Sequence, residues 1–99
     1  MIVEDIYKKV LNVVEAEITL PDDWLLGSKT EDATDARYIL CEQLHLFGLS
    51  SMQIQCVTGL KKSTVNKMLA GVSERILRRK VTGLWWLQID YILQGTKGG

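Results

Sequence analysis

Apolar residues at the start of the chain recur at helical spacing: Ile2, Ile6, Val10 and then Val13 and Val14. That period predicts an amphipathic helix over residues 1–17, with Lys8, Lys9, Asn12 and Glu15 toward water. Thr19-Leu20-Pro21-Asp22 breaks it. Pro21 followed by Asp22 and Asp23 suits the start of a short helix through Trp24, Leu25 and Leu26, stopped by Gly27. Ser28 to Asp32 reads as a polar loop. Ala36, Leu40, Leu44 and Phe47 then mark a helix from about Ala33 to Phe47, with Ile39 and Cys41 beside the stripe and Gly48 as its stop. Ser50 can cap a short helix from Ser51 to about Val57, and Gly59 suits a tight turn. A longer helix is predicted from Lys62 to Arg79. Thr82-Gly83 interrupts, and a last helix runs from Leu84 to Leu93. No segment alternates with period two. The expectation is all-α, a bundle of five or six helices forming one domain over residues 1–94, with residues 95–99 as a flexible Gly-rich tail.

Composition narrows the class. In 99 residues, 46% are hydrophobic and 24% charged, which is the balance of a globular domain and not of a disordered segment. One core is the most this length sustains, and it is too short for a typical nucleotide-driven enzyme domain. Two cysteines, Cys41 and Cys56, make no disulfide framework, so a reducing compartment is expected. No run of about eighteen apolar residues is present. The acidic start Met-Ile-Val-Glu-Asp lacks the basic-then-apolar order of a signal peptide. A cytoplasmic protein without membrane attachment is the reading that remains.

Charge is unevenly placed although it sums to zero. Residues 1–48 carry four basic and ten acidic side chains; residues 49–99 carry eight basic and two acidic ones. Such a split hints at an end that binds polyanions.

Residues 49–72 carry the most specific pattern. A short helix, a turn at Gly59 and a second helix make a helix-turn-helix layout, with Ile54, Leu60, Val65 and Met68 spaced to close the corner. On a helical wheel of the second helix, Val65, Met68, Leu69, Val72 and Ile76 share one face. Ser63, Asn66, Lys67 and Ala70 occupy the opposite face, flanked by Lys62 and Thr64. Short, polar and basic side chains let a helix enter a major groove and reach base edges. Lys61 and Lys62 stand where the helix dipole disfavours cations, so they break a local rule without structural gain. Beside free helix N–H groups they would hold a phosphate, and Ser50 and Ser51 would add further phosphate contacts.

With these residues in view, residues 2–94 resemble the C-terminal DNA-binding domain of the bacterial replication initiator DnaA, a Trp-repressor-like fold. The resemblance lies in Leu25 to Lys29, in Asp35-Ala36-Arg37-Tyr38-Ile39-Leu40, in Gly48-Leu49-Ser50-Ser51-Met52-Gln53-Ile54, and in Gly59-Leu60-Lys61-Lys62-Ser63-Thr64-Val65. It implies that Ser63 and Thr64 contact DNA and that Lys29 lies in a loop approaching the minor groove. Leu60, Lys61 and Lys62 stand where the family has Arg, Asp and His, so the base-reading set is changed. Gln55 replaces a small residue. No Gly-x4-Gly-Lys-Ser/Thr segment is present, so the resemblance is to a stand-alone relative, of phage or mobile-element type, and not to an initiator.

Other clusters have plainer readings. Cys41 and His45 are four apart, but no second pair of metal-ligand spacing accompanies them. Glu31, Asp32 and Asp35 read as helix capping and dipole compensation, although acids there would repel phosphate. Arg75, Arg78, Arg79 and Lys80 suit a helix C-terminus and also phosphate. The helix holding Trp85 and Trp86 is apolar nearly all round, which suggests a homodimer through these tryptophans. Nothing brings a nucleophile, a base and a pocket together, so no enzyme activity, cofactor or small-molecule substrate is expected. The leading expectation is a double-stranded DNA-binding protein; the alternative is a protein-interaction module that kept the fold and lost DNA.

Overall fold

The computed structural model describes residues 2–97, which form five α-helices: α1 (Val3–Glu17), α2 (Glu31–Leu46), α3 (Ser51–Thr58), α4 (Lys62–Arg78) and α5 (Lys80–Lys97). The architecture is all-α, and among the described residues there is no strand.

α1 follows its stripe, burying Ile6, Val10 and Val14 and leaving Lys8, Asn12 and Glu15 exposed. Lys9 instead lies over the Phe47 ring, 5.6 Å from its centroid. α2 is the central helix and touches all four others. Ala33, Ala36, Tyr38, Ile39, Leu40, Cys41 and Leu44 are all buried, so more of its circumference is covered than one stripe requires. Each of these larger apolar side chains contributes roughly 1.5–3 kcal/mol by leaving water. Two polar residues are swallowed with them, Asp35 and Gln43. A buried polar group costs stability unless it is bonded, so both need partners from elsewhere in the chain.

α5 supplies those of Gln43. The amide Nε2 donates to Asp90 Oδ1 at 3.0 Å, and its oxygen accepts from Gln94 Nε2 at 2.8 Å. The Trp86 indole N–H donates to Glu42 on the same side. Ile89 and Leu93 complete the contact from the α5 side.

Three boundaries differ from the sequence expectation. Residues 22–27 form turns and no helix: Trp24 N–H bonds Pro21 O, while Gly27 and Ser28 both bond Asp23 O. Trp24 is drawn into the core, and its indole N–H donates to Glu15 Oε2 at 3.0 Å. α2 starts two residues before Ala33, because the Thr30 hydroxyl accepts from Ala33 N–H as an N-cap. α5 starts at Lys80, and Thr82-Gly83 lies inside it. The real break is the single residue Arg79, extended at φ −123° and ψ 114°. Gly83 lies in ordinary helical backbone against Ile76, whose carbonyl oxygen is at van der Waals distance, 3.5 Å, from where a Cβ would sit. Within the expected tail, residues 95–97 belong to α5; residues 98 and 99 lie outside the described residues.

Candidate nucleic-acid interface

The α3–α4 corner is built from local chemistry. Ser50 caps α3 in a reciprocal box: its Oγ accepts from Gln53 N–H, and Gln53 Oε1 accepts from Ser50 N–H at 2.8 Å. At the other end Gly59 takes the left-handed conformation, φ 77°, and its N–H returns to Gln55 O. An L side chain there costs roughly 1–2 kcal/mol, which is why this turn uses glycine. Buried Thr58 locks the corner, donating to Ile54 O at 2.6 Å and accepting from Leu60 N–H at 3.2 Å. Ile54, Val65 and Met68 are buried and Leu60 is half-buried, so the expected corner residues do pack together.

α4 begins immediately after this turn. Its inner residues Val65, Met68 and Val72 are buried, with Leu69 and Ile76 packed against the core. Lys61, Lys62, Ser63, Asn66, Lys67 and Ala70 are exposed, and Thr64 is half-buried. Lys61 is the N-cap and supplies no side-chain bond. The first N–H groups of the helix, at Lys62, Ser63 and Thr64, lie ahead of the first intrahelical bond, Val65 N–H to Lys61 O. Among the described residues, no acid pairs with Lys61, Lys62 or Lys67.

The other expected contacts are placed as follows. Ser50 is exposed, but its oxygen is committed to the cap; its hydroxyl hydrogen remains able to donate. Ser51 is half-buried. Lys29 is exposed on the loop between α1 and α2. That loop is fixed by Arg37, which the sequence marked only as part of the segment Asp35 to Leu40 and not as a loop anchor. Its NH1 donates to the carbonyls of Trp24 and, at 2.8 Å, of Ser28, while NH2 donates to Thr34 Oγ1. Leu26, on the same loop, approaches Gly59: its Cδ1 lies 3.6 Å from the place a Cβ there would take. The Lys29 loop therefore abuts the α3–α4 turn.

The acidic segment has a role other than capping and dipole compensation. Asp35, fully buried, accepts from Arg75 Nε at 2.6 Å and from Arg79 Nε at 2.9 Å. Glu31 Oε2 lies 3.2 Å from Arg75 NH2 and 2.9 Å from Arg79 NH1, and Asp32 stands 3.8 Å from Arg79 NH2. The start of α2 and the end of α4 are thus joined by ion pairs, with the Arg75 guanidinium also over the Tyr38 ring at 5.3 Å. This pairing removes Arg75 and Arg79 from the free cations. It equally spends Asp35 and offsets Glu31, leaving one carboxylate in excess of the two guanidiniums, with Asp32 exposed 3.8 Å from Arg79. Part of the charge split between the two halves of the sequence is consumed inside the fold.

The remaining candidates are structural. Cys41 is buried, and burial pushes its thiol up to about 12. His45 is exposed, with Nδ1 3.1 Å from the Leu49 carbonyl, so that nitrogen carries a proton. Trp85 and Trp86 are half-buried and pack on the core, so they are not the outward face of α5. Among the described residues, no helix is long and apolar enough to cross a membrane. The chain matches no protein-family profile, no curated protein and no solved structure.

Proposed function

We propose that the chain binds double-stranded DNA, with α3 and α4 acting as a helix-turn-helix and α4 as its recognition helix. The observation that supports it is one continuous exposed face, Lys61, Lys62, Ser63, Asn66, Lys67 and Ala70, at an uncapped helix start whose lysines have no acidic partner among the described residues. In this reading Lys61, Lys62 and the first N–H groups of α4 hold a backbone phosphate. Ser63, Asn66 and Lys67 reach the floor of the major groove, where amide and ammonium groups can distinguish base edges. Thr64 lies beside the backbone, Ser50 and Ser51 donate to phosphate from the start of α3, and Lys29 approaches from the flanking loop. The resemblance to the DnaA C-terminal domain supports the same surface. Its changed residues, Leu60, Lys61 and Lys62, argue for a different target sequence.

Anisotropy titration of a labelled mixed-sequence duplex at increasing salt tests the proposal. Phosphate contacts release counterions, so affinity falls linearly on a log–log plot, by nearly one in slope per contact. Lys61→Ala and Lys62→Ala are each expected to reduce that slope by about one. Arg75→Ala lowers stability and leaves the slope unchanged, because that cation is spent on Asp35 and Glu31. Asn66→Ala is expected to weaken sequence preference more than total affinity. A flat salt response, or binding unchanged when Lys61, Lys62 and Lys67 all become Glu, overturns the assignment. A protein-interaction role is favoured by a different surface, the outer side of α5, and is compatible with DNA binding by α4.

A further inference from the structure

α1 ends at Glu17 and α2 begins at Glu31, so residues 18–30 cross between them with no helix of their own. A loop of this length is ordinarily either functional or disordered. This one is held in shape. Ile18 and Trp24 are buried, and Asp23 O accepts from both Gly27 and Ser28 N–H. The other closure comes from α2. Arg37 NH1 donates to the Trp24 carbonyl and, at 2.8 Å, to the Ser28 carbonyl, while NH2 reaches Thr34 Oγ1 at 3.2 Å. Among the described residues no other donor reaches either carbonyl, and no acid pairs with Arg37. The guanidinium therefore spends its donors on the shape of the backbone.

Two further facts tie that shape to α4. The Leu26 methyls lie 3.6 and 3.8 Å from where a Cβ on Gly59 would sit, although the side chain is 69% exposed. The loop thus rests on the turn that opens α4, just ahead of Lys61. The charge of the loop is the second. Asp22, Asp23 and Lys29 are all exposed. In a loop that sampled many shapes, two acids against one cation would repel a polyanion. A fixed shape is what lets Lys29 act apart from those acids.

We infer that Arg37 is a positioning residue for DNA binding: by clamping the loop it holds Lys29 in fixed register with the start of α4, so that loop and helix meet the phosphate backbone as one rigid surface. The inference rests on the DNA-binding reading of α4. Arg37 acts through Lys29 and not by a phosphate contact of its own, because the bonds of NH1 and NH2 are directed at the protein. A lysine already held in place avoids the ordering cost that a mobile one meets on binding. Arginine suits the task because its planar fork reaches two carbonyls and a hydroxyl at once; an ammonium carries the same charge without that geometry.

Arg37→Lys tests it, since it keeps the charge and removes the fork. Amide hydrogen exchange on the free protein reads the loop without DNA. The Gly27 and Ser28 amides are expected to exchange about tenfold faster in the variant, with those of Val65 to Val72 in α4 unchanged. A double-mutant cycle with the labelled mixed-sequence duplex then reads the coupling. Lys29→Ala is expected to lower the log–log salt slope by about one in the wild-type chain and by much less in the Arg37→Lys chain. Lys61→Ala is expected to lower it by about one in both. Thr34→Val, which removes one acceptor of the same guanidinium, carries the same cycle if Arg37→Lys does not fold, and is expected to shrink the Lys29 effect alone. Equal Lys29 effects in the two backgrounds, a Lys29→Ala change without effect in the wild type, a matching loss of the Lys61 effect, or unchanged exchange at Gly27 and Ser28 each overturns the positioning role. A flat salt response of the wild-type chain is a different failure, because it overturns the DNA-binding reading itself and this inference with it.

Discussion

Arg75 Nε and Asp35 Oδ1 lie 2.6 Å apart across the α2–α4 contact, the carboxylate fully buried and the guanidinium nearly so. Forty residues of chain separate them. The pair fastens the C-terminal half of α4 to the central helix, while Val65 and Met68 seat its N-terminal half in the core and leave only the opposite face in water. Anchoring at both ends is what a surface helix needs if it is to keep its orientation under load from a ligand.

Removing the buried carboxylate leaves two guanidinium groups short of their main partner. Asp35→Ala is expected to cost about 3 kcal/mol, the lower end for a broken buried pair, since Glu31 remains. For a domain of this size that corresponds to a fall of more than about 10 °C in thermal midpoint. Glu31→Ala, at an exposed carboxylate, is expected to cost under about 1 kcal/mol. Equal effects of the two would refute the idea that burial of Asp35 carries the contact.

The helix starts of α3 and α4 are expected to respond oppositely. Ser50→Ala deletes a working cap and is expected to lower stability by about 1 kcal/mol. Lys61→Ser supplies a cap where there is none and removes an unfavourable cation, so it is expected to raise stability by about 0.5–1 kcal/mol. The same change is expected to weaken DNA binding. Chemical denaturation of both variants, with the anisotropy assay on the second, checks this trade of stability against binding.

The two thiols are expected to differ sharply. Cys56 is exposed, whereas Cys41 is buried and its thiol sits near 12 because burial disfavours the thiolate, Arg37 pulling weakly the other way. A disulfide reagent should titrate one thiol in the native protein and a second only in denaturant. Prompt reaction of both in buffer would contradict the buried position of Cys41.

Burial at the α2–α5 contact pushes the Glu42 carboxyl above its ordinary value; the Trp86 N–H pulls it down and Asp90 adds to the rise. A raised carboxyl value means the native state holds the proton more tightly than the unfolded chain. Stability from this site therefore grows as pH falls through the raised value, and the ionised form is the less stable one. Glu42→Gln keeps an acceptor for Trp86 and removes the charge. Its thermal midpoint relative to the wild type is expected to be higher near neutral pH, and that advantage to shrink on acidification toward the ordinary carboxylate range. An advantage independent of pH would show that ionisation of Glu42 is not its source.

Local periodicity was enough to read the fold class, the span of α1, the α3–turn–α4 corner and the two faces of α4. Each of these depends on residues within a few positions of one another: a stripe at 3.6 spacing, Ser50 as a cap, Gly59 where φ is positive. The same locality explains what was missed. Nothing near Arg79 marks it as a helix break; the break coincides with a guanidinium bonded to Asp35 and Glu31, which only the packed chain brings together. Thr82-Gly83 reads as an interruption, yet α5 runs through it with Thr82 fully buried in the packed chain.

The sequence by itself determined the helical character of α1 to α4 and the apolar side of α1 and α4, because those properties follow from backbone sterics and side-chain order along a few turns; the segment 22–27, expected as a short helix, became turns because Trp24 is drawn into the core. Tertiary structure alone decided which charges are spent and which are free. Glu31 and Asp35 look like a barrier to polyanions, and Arg75 and Arg79 like an invitation, until they meet across α2 and α4. The tertiary structure also decided that the tryptophans of α5 face inward and Leu84, Leu87 and Tyr91 outward, since a helix with two apolar faces contains no local rule for choosing which one the core takes.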